Sequence, residues 1–259
     1  MKKLIIANWK MNPKSLEEAR SLITRTEHRM NQVADKVQVV VAAPFIYLPP
    51  LSHYCHMVKL GAQNMSWLTE GAITGEISAQ QLKLFNVSHV ILGHSERRLY
   101  LGETDSVVNA KIMTALKYKL TPIVCLGGEE DAKQNNMPKI VSRQFGAVTT
   151  NLSQKQLEKI IFVYEPVWAI STMEKSVPAS SEHAKVMVAY LRKLLAKKIG
   201  IARAANMPIL YGGTVNRSNV SQFSKHPEIS GALVGAASLD SENFWEIIKE
   251  FYRESIHRS

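Results

Sequence analysis

Cysteine is scarce in this 259-residue chain: only Cys55 and Cys125 are present, with no CxxC pairing and no metal-ligand spacing around them. A disulfide framework and a zinc site are therefore not expected, no metal is assigned, and the pair suits a reducing cytoplasm. Long apolar runs are missing too. No stretch approaches the roughly 20 residues of a membrane span, so no membrane partner is expected. The opening MKKLIIANWK has the basic start of a secretion signal, but its apolar part, residues 4–7, falls short of the roughly 7–15 residues such a segment needs; it reads as a first strand. There is no low-complexity tract and no obvious linker, so residues 1–259 are expected to form one domain. Acidic residues are outnumbered, 22 Asp and Glu against 32 Lys and Arg, giving a formal charge of +10. The basic side chains are scattered instead of forming one stripe with interleaved aromatics, which argues against dedicated nucleic-acid binding. A general positive field would still draw in a small phosphorylated anion.

What is abundant is alternation. Candidate strands at 4–7, 37–42, 58–61, 90–92, 123–125, 160–163, 208–211 and 231–234 are separated by amphipathic stretches. Continuous runs such as VQVVVAA and KIIFVY predict strands buried on both faces, as in a parallel sheet under crossover helices. Ser15 with Glu18 forms a potential capping box. Thr104 or Asp105, and Ser180 or Ser181, are candidate caps for two further helices, Gly200 marks a helix stop, and Ser241 precedes a closing helix. Apolar stripes at Val107, Ala110, Ile112 and Leu116, and at Val186, Tyr190 and Leu194, predict core-facing sides. Eight βα units in this length predict an α/β fold of the closed (β/α)8 barrel type. The runner-up, an open doubly wound sheet, is weakened because no GxGxxG follows the first strand.

In such a barrel, side chains just past the strand ends share one rim. Those positions hold Asn8 and Lys10, Gln63 and Asn64, His94, Cys125, Glu165, then 211–213 and 235–236. Glu165 precedes Pro166, which biases its backbone toward an extended form. Beside Trp168 its carboxylate would be partly desolvated and suited to general-base work; otherwise it is an ion-pair partner at a loop start. His94 precedes SERR, where a helical turn could begin. The positive end of that turn disfavours protonation and leaves a neutral imidazole able to polarise a carbonyl. Alone it would read as structural, the reading given to His28, His53, His56, His89, His183, His226 and His257, which receive no role. Lys10 offers a compact ammonium for a phosphate or an oxyanion, or else a surface lysine, and Asn8 lies on the same side of the strand to orient it. The turns YGGTV at 211–215, with Thr214, and VGAAS at 234–238, with Gly235 and Ala236, consist largely of small residues that let backbone N–H groups cradle a phosphate.

NWKMN at 8–12, GAQN at 61–64, GAITGE at 71–76, LGHSERR at 92–98, YEPVWAI at 164–170, YGGTV at 211–215 and LVGAASL at 233–239 occur in order along the whole chain. Together they resemble the triosephosphate isomerase family. The resemblance implies a cofactor-free (β/α)8 barrel of glycolysis and gluconeogenesis, usually dimeric, that interconverts dihydroxyacetone phosphate and glyceraldehyde 3-phosphate. It also implies Glu165 as the base, His94 as the neutral electrophile, Asn8 and Lys10 as substrate-binding residues, and Ser95, Glu96 and Cys125 as their support. Residues 166–178 match the family's mobile lid, with Ser171 placed to give its N–H to phosphate. Segment 63–76 resembles the loop that enters the partner subunit, with Thr74 near the partner's Lys10 and His94, and with Glu76 and Arg97 as interface charges.

The chain departs from the family pattern at four places. Ser171 and Met173 replace glycines, which predicts a slower or shifted lid equilibrium. Ala236 replaces the second glycine of the last phosphate turn. Gly128 stands where the family has a glutamate, with Glu129 one place late, which predicts a missing or displaced polar partner for Trp168. Other readings are an isomerase of a longer ketose phosphate, such as a tetrulose phosphate, and a non-catalytic phosphate-binding barrel; a base such as Glu165 has no use in the latter.

Overall fold

The computed structural model describes residues 2–128, 139–169 and 179–257. Eight strands alternate with helices: β1 (Lys3–Asn8), β2 (Val37–Ala43), β3 (Lys59–Ala62), β4 (His89–Leu92), β5 (Thr121–Leu126), β6 (Ile161–Tyr164), β7 (Ile209–Tyr211) and β8 (Gly231–Val234). Every neighbouring pair is parallel, and β1 pairs with both β2 and β8, so the sheet closes into a barrel. Ile6 stands level with Val40 on one side and with Leu233 on the other.

The alternation of side chains along each strand divides the apolar residues into two cores. Leu4, Ile6, Val40, Ala42, Ile91, Ile123, Cys125, Ile161, Val163, Leu210 and Leu233 fill the barrel. Their neighbours Ile5, Ala7, Val39, Val41, Val124 and Phe162 point outward into the layer beneath the helices. Burial on both faces explains the continuous apolar runs. Each fully buried Val, Leu or Ile contributes roughly 1.5–3 kcal/mol relative to exposure.

Some strand limits move for local reasons. β3 starts at Lys59 and not at Val58, because the Val58 N–H donates to Glu27 Oε2 at 2.9 Å. That buried carboxylate also accepts from the N–H groups of His56 and Met57, a cap that the sequence pattern did not reveal. β6 starts at Ile161, since the Ile160 N–H closes a turn onto Leu157. β7 starts after Pro208, which has no N–H to give.

Helix starts follow the expected caps with two corrections. Ser15 accepts from the Glu18 N–H, but the Glu18 carboxylate accepts from Lys14 instead of completing the box. The closing helix Ser241–Ile256 is capped by Asp240, which accepts from the N–H groups of Glu242 and Asn243 at 2.9 Å. Thr104 and Ser180 are the caps of the other two.

The expected helix stripes hold in part: Ile112 is buried, and Leu116, Tyr190 and Leu194 pack partly buried against the core, while the most buried positions lie beside them. In Asp105–Lys117 the buried positions are Val108, Lys111, Ile112 and Ala115, because Lys111 is drawn inward to Glu103 and to Asn64 Oδ1. In Ser181–Ile199 they include Ala184, Met187, Val188, Leu191 and Leu195, facing β6 and β7, while Val186 is exposed.

Candidate active site

Strand parity carries the barrel's inward face past the strand ends. Leu4 and Ile6 continue to Asn8, Ile161 and Val163 to Glu165, Leu210 to Gly212, and Leu233 to Gly235. These positions converge on one cavity of about 340 Å³ lined by Asn8, Lys10, His94, Glu165, Thr214, Gly235 and Ala236, among others.

Glu165 is almost fully buried. Its Oε2 accepts from the Ser95 N–H at 3.0 Å, and its Oε1, with no aligned hydrogen bond among the described residues, stands 3.2 Å from His94 Nε2. Two glycines make room for it. A Cβ on Gly127, at φ +151°, would fall 1.8 Å from the Glu165 carbonyl oxygen, and one on Gly212 would fall 2.9 Å from Glu165 Cγ. Gly127 is held in turn by buried Gln144, whose Oε1 accepts from its N–H at 2.8 Å and whose Nε2 donates to its carbonyl at 3.1 Å.

His94 is the N-cap of the helical segment Ser95–Leu101, and its Nδ1 accepts from the Glu96 N–H at 3.3 Å. An accepting Nδ1 holds no proton, so the ring's single proton sits on Nε2, the nitrogen that faces Glu165 and the cavity. Lys10 has a left-handed backbone at φ +53°. Two side chains hold that backbone: Asn8 Oδ1 accepts from its N–H at 3.1 Å, and Gln63 Nε2 donates to its carbonyl at 2.9 Å. Lys10 Nζ meets Glu96 Oε1 at 2.5 Å, and Glu96 Oε2 lies 3.6 Å from His94 Nδ1. One carboxylate thus links the cation to the imidazole.

The supporting residues sit directly behind this surface. Ser95 meets Glu165 through its backbone N–H, while its Oγ is buried without a hydrogen-bond partner among the described residues. The Cys125 thiol lies inside the barrel beside Glu165, and burial, then the charge of that carboxylate, push it well above the ordinary thiol range. Of the expected rim residues, Gln63, Asn64, Cys125 and Tyr211 do not line the cavity: Gln63 braces Lys10, Asn64 turns away to Lys111, Cys125 lies within the barrel and Tyr211 packs in the outer layer. Ser171, Met173 and Glu129 lie outside the described residues. Trp168 Nε1 is buried and has no hydrogen-bond partner among the described residues, and a Cβ built on Gly128 would fall 2.4 Å from Ile140 Cδ1.

The cavity also reaches Asn216, Asp240 and Asn243, which the sequence pattern did not single out. Asn243 Oδ1 accepts from the Arg217 N–H at 2.8 Å, and Asp240 is the helix cap; an aspartate just before the closing helix is the one signal that could have found it.

A fixed cation, a one-proton imidazole, a buried carboxylate and small-residue turns around one cavity suit proton transfer next to a carbonyl in an anionic substrate. Comparison with known proteins gives the family. The sequence profile of the family described as Triosephosphate isomerase matches residues 3–251. The curated Triosephosphate isomerase of Alkaliphilus oremlandii is 42% identical over 252 residues, covering 96% of this chain and 99% of the relative. That of Dictyoglomus thermophilum is 39% identical over 251 residues, with the same coverage. That of Idiomarina loihiensis is 39% identical over 244 residues, covering 93% of this chain and 94% of the relative. With barrel, cavity and near-complete alignment in agreement, this chain belongs to the triosephosphate isomerase family.

Proposed function

We propose that this protein interconverts dihydroxyacetone phosphate and D-glyceraldehyde 3-phosphate, a step of glycolysis and gluconeogenesis. Glu165 removes a proton from the carbon beside the carbonyl, and the C–H electron pair forms the enediolate. The Nε2–H of His94 donates to the carbonyl oxygen as negative charge develops there. The ammonium of Lys10 stabilises the same charge, with Asn8 fixing its backbone. The hydroxyl proton of the first carbon passes to the former carbonyl oxygen by way of His94 Nε2, and the proton held on Glu165 is delivered to the former carbonyl carbon, so atoms and charge balance without a cofactor. N–H groups of Ser171, Gly235 and Ala236, with Thr214, are assigned to the phosphate; Ser95, Glu96 and Cys125 position the reacting groups.

One observation carries this reading: a buried carboxylate oxygen 3.2 Å from Nε2 of an imidazole whose Nδ1 accepts from the Glu96 N–H, both facing one cavity with Lys10. A coupled assay on glyceraldehyde 3-phosphate tests it. Glu165→Gln should lower kcat by about 10²- to 10⁴-fold, the usual size of a general-base contribution. Undiminished turnover in that variant refutes the assignment.

We also propose a homodimer formed through segment 63–76, acting in the cytoplasm. Support comes from Trp67, Leu68 and Ile73, which are each more than a third exposed on that segment, and from two cysteines that are both free. Light scattering at micromolar concentration should give twice the chain mass, and a monomer there would count against the proposal.

A further inference from the structure

His183, unremarkable in the sequence, stands at the back of the strand end that carries the base. It lies in the first turn of Ser181–Ile199, where its N–H donates to Ser180 Oγ at 3.2 Å. Its ring Nε2 is 2.8 Å from the Tyr164 hydroxyl. The same ring meets Trp168 edge-on, with centroids 5.6 Å apart and planes at 68°. Tyr164 and Trp168 bracket Glu165 on either side, with the stiff Pro166 between.

Parity makes this contact consequential. Tyr164 packs in the outer layer beneath the helices, whereas Glu165, one residue on, points into the cavity. A hold on the outer side chain therefore sets the backbone from which the inner one projects. Burial lowers the proton affinity of His183, and the start of the helix opposes a positive charge there as well, which favours a neutral ring joined to the tyrosine hydroxyl by one hydrogen bond. For Trp168, whose indole N–H finds no acceptor among the described residues, the imidazole is an aromatic neighbour that fixes the ring plane.

We propose that His183 is a positioning residue for the reaction: by holding Tyr164 and Trp168 it fixes the direction from which the Glu165 carboxylate reaches the substrate. This rests on the assignment of Glu165 as the base. Among the described residues the bonds and ring contacts of His183 are to Ser180, Tyr164 and Trp168 and not to the turns after β7 and β8, so turnover and affinity should separate.

The test uses the full chain, with kcat and KM measured per folded molecule and the folded fraction of each variant taken from its melting curve. His183→Phe keeps a ring but removes the hydrogen bond. It should lower kcat by about 5- to 20-fold, short of the 100-fold that a displacement of about 1 Å can cause, and leave KM within about twofold. His183→Gln places an amide near the Nε2 position and should recover most of the loss. Tyr164→Phe removes the same bond from the other side, so its effect should not add to that of His183→Phe in the double variant. This pair also serves if His183→Phe folds poorly. A kcat unchanged in both His183→Phe and Tyr164→Phe overturns the proposal. Additive losses, or a loss that glutamine does not recover, overturn it as well. Glu165→Gln run alongside keeps the two claims apart: full activity there removes the base assignment, whereas its loss beside an unaffected His183→Phe removes only the positioning role.

Discussion

Lys10 combines a strained left-handed backbone with a cation paired to Glu96, and both features persist because surrounding groups fix them. Removing its charge leaves the Glu96 carboxylate uncompensated at the mouth of a cavity proposed to hold a dianion. Lys10→Met is therefore expected to raise KM for the triose phosphate about 10- to 100-fold, the scale of one lost charge-assisted hydrogen bond. Steady-state kinetics at fixed ionic strength would show it, and an unchanged KM would remove Lys10 from the binding set. At this scale Lys10, His94 and Glu165 were legible because each ends an apolar run in a distinctive motif. Gln144 was not: nothing in its neighbourhood signals that its amide grips Gly127 across 17 positions of sequence. His183 was silent for the same reason, since its importance lies in two rings brought to it by the fold.

Among elements, the turn after β5 bears most directly on the base, because its backbone passes against that of Glu165. The Glu165 N–H donates to the Leu126 carbonyl at 2.8 Å, and Gly127 leaves no room for a methyl group. Gly127→Ala should force the two segments apart, destabilise the protein by about 1–3 kcal/mol and reduce kcat at least tenfold. Urea denaturation and the coupled assay report the two effects independently; wild-type values in both would show that the contact yields without cost. Strand existence was readable from apolar runs, but several limits were not. Val58 and Ile160 look like strand residues and are excluded because a distant carboxylate and a local turn claim their N–H groups. Helix faces were misread where one charged residue, Lys111, is buried against Glu103 and Asn64, an outcome no hydrophobic pattern encodes.

Across the whole molecule, stability should depend on pH through histidines that fold into apolar surroundings. Burial first, and the nearby charge of Lys59 second, lower the pKa of His89 from 6.5 to about 4. The unfolded chain takes up this proton below about pH 6.5 while the folded chain refuses it until about pH 4, so stability falls across that window and levels off beneath it. The full contribution is about 3 kcal/mol. Denaturation midpoints at pH 7, 5.5 and 4.5 should fall less steeply in His89→Gln than in the parent, and parallel curves would contradict the shift. The sequence by itself determined the barrel and the motifs that line its cavity, because continuous apolar strands and the βα alternation leave few other folds. Only the tertiary structure decided which proton His94 carries, which N–H holds the resting carboxylate, and which buried amide and imidazole brace it. Those are contacts between residues far apart in the chain, fixed by the closure of β8 onto β1 and by the turn of each helix over the sheet.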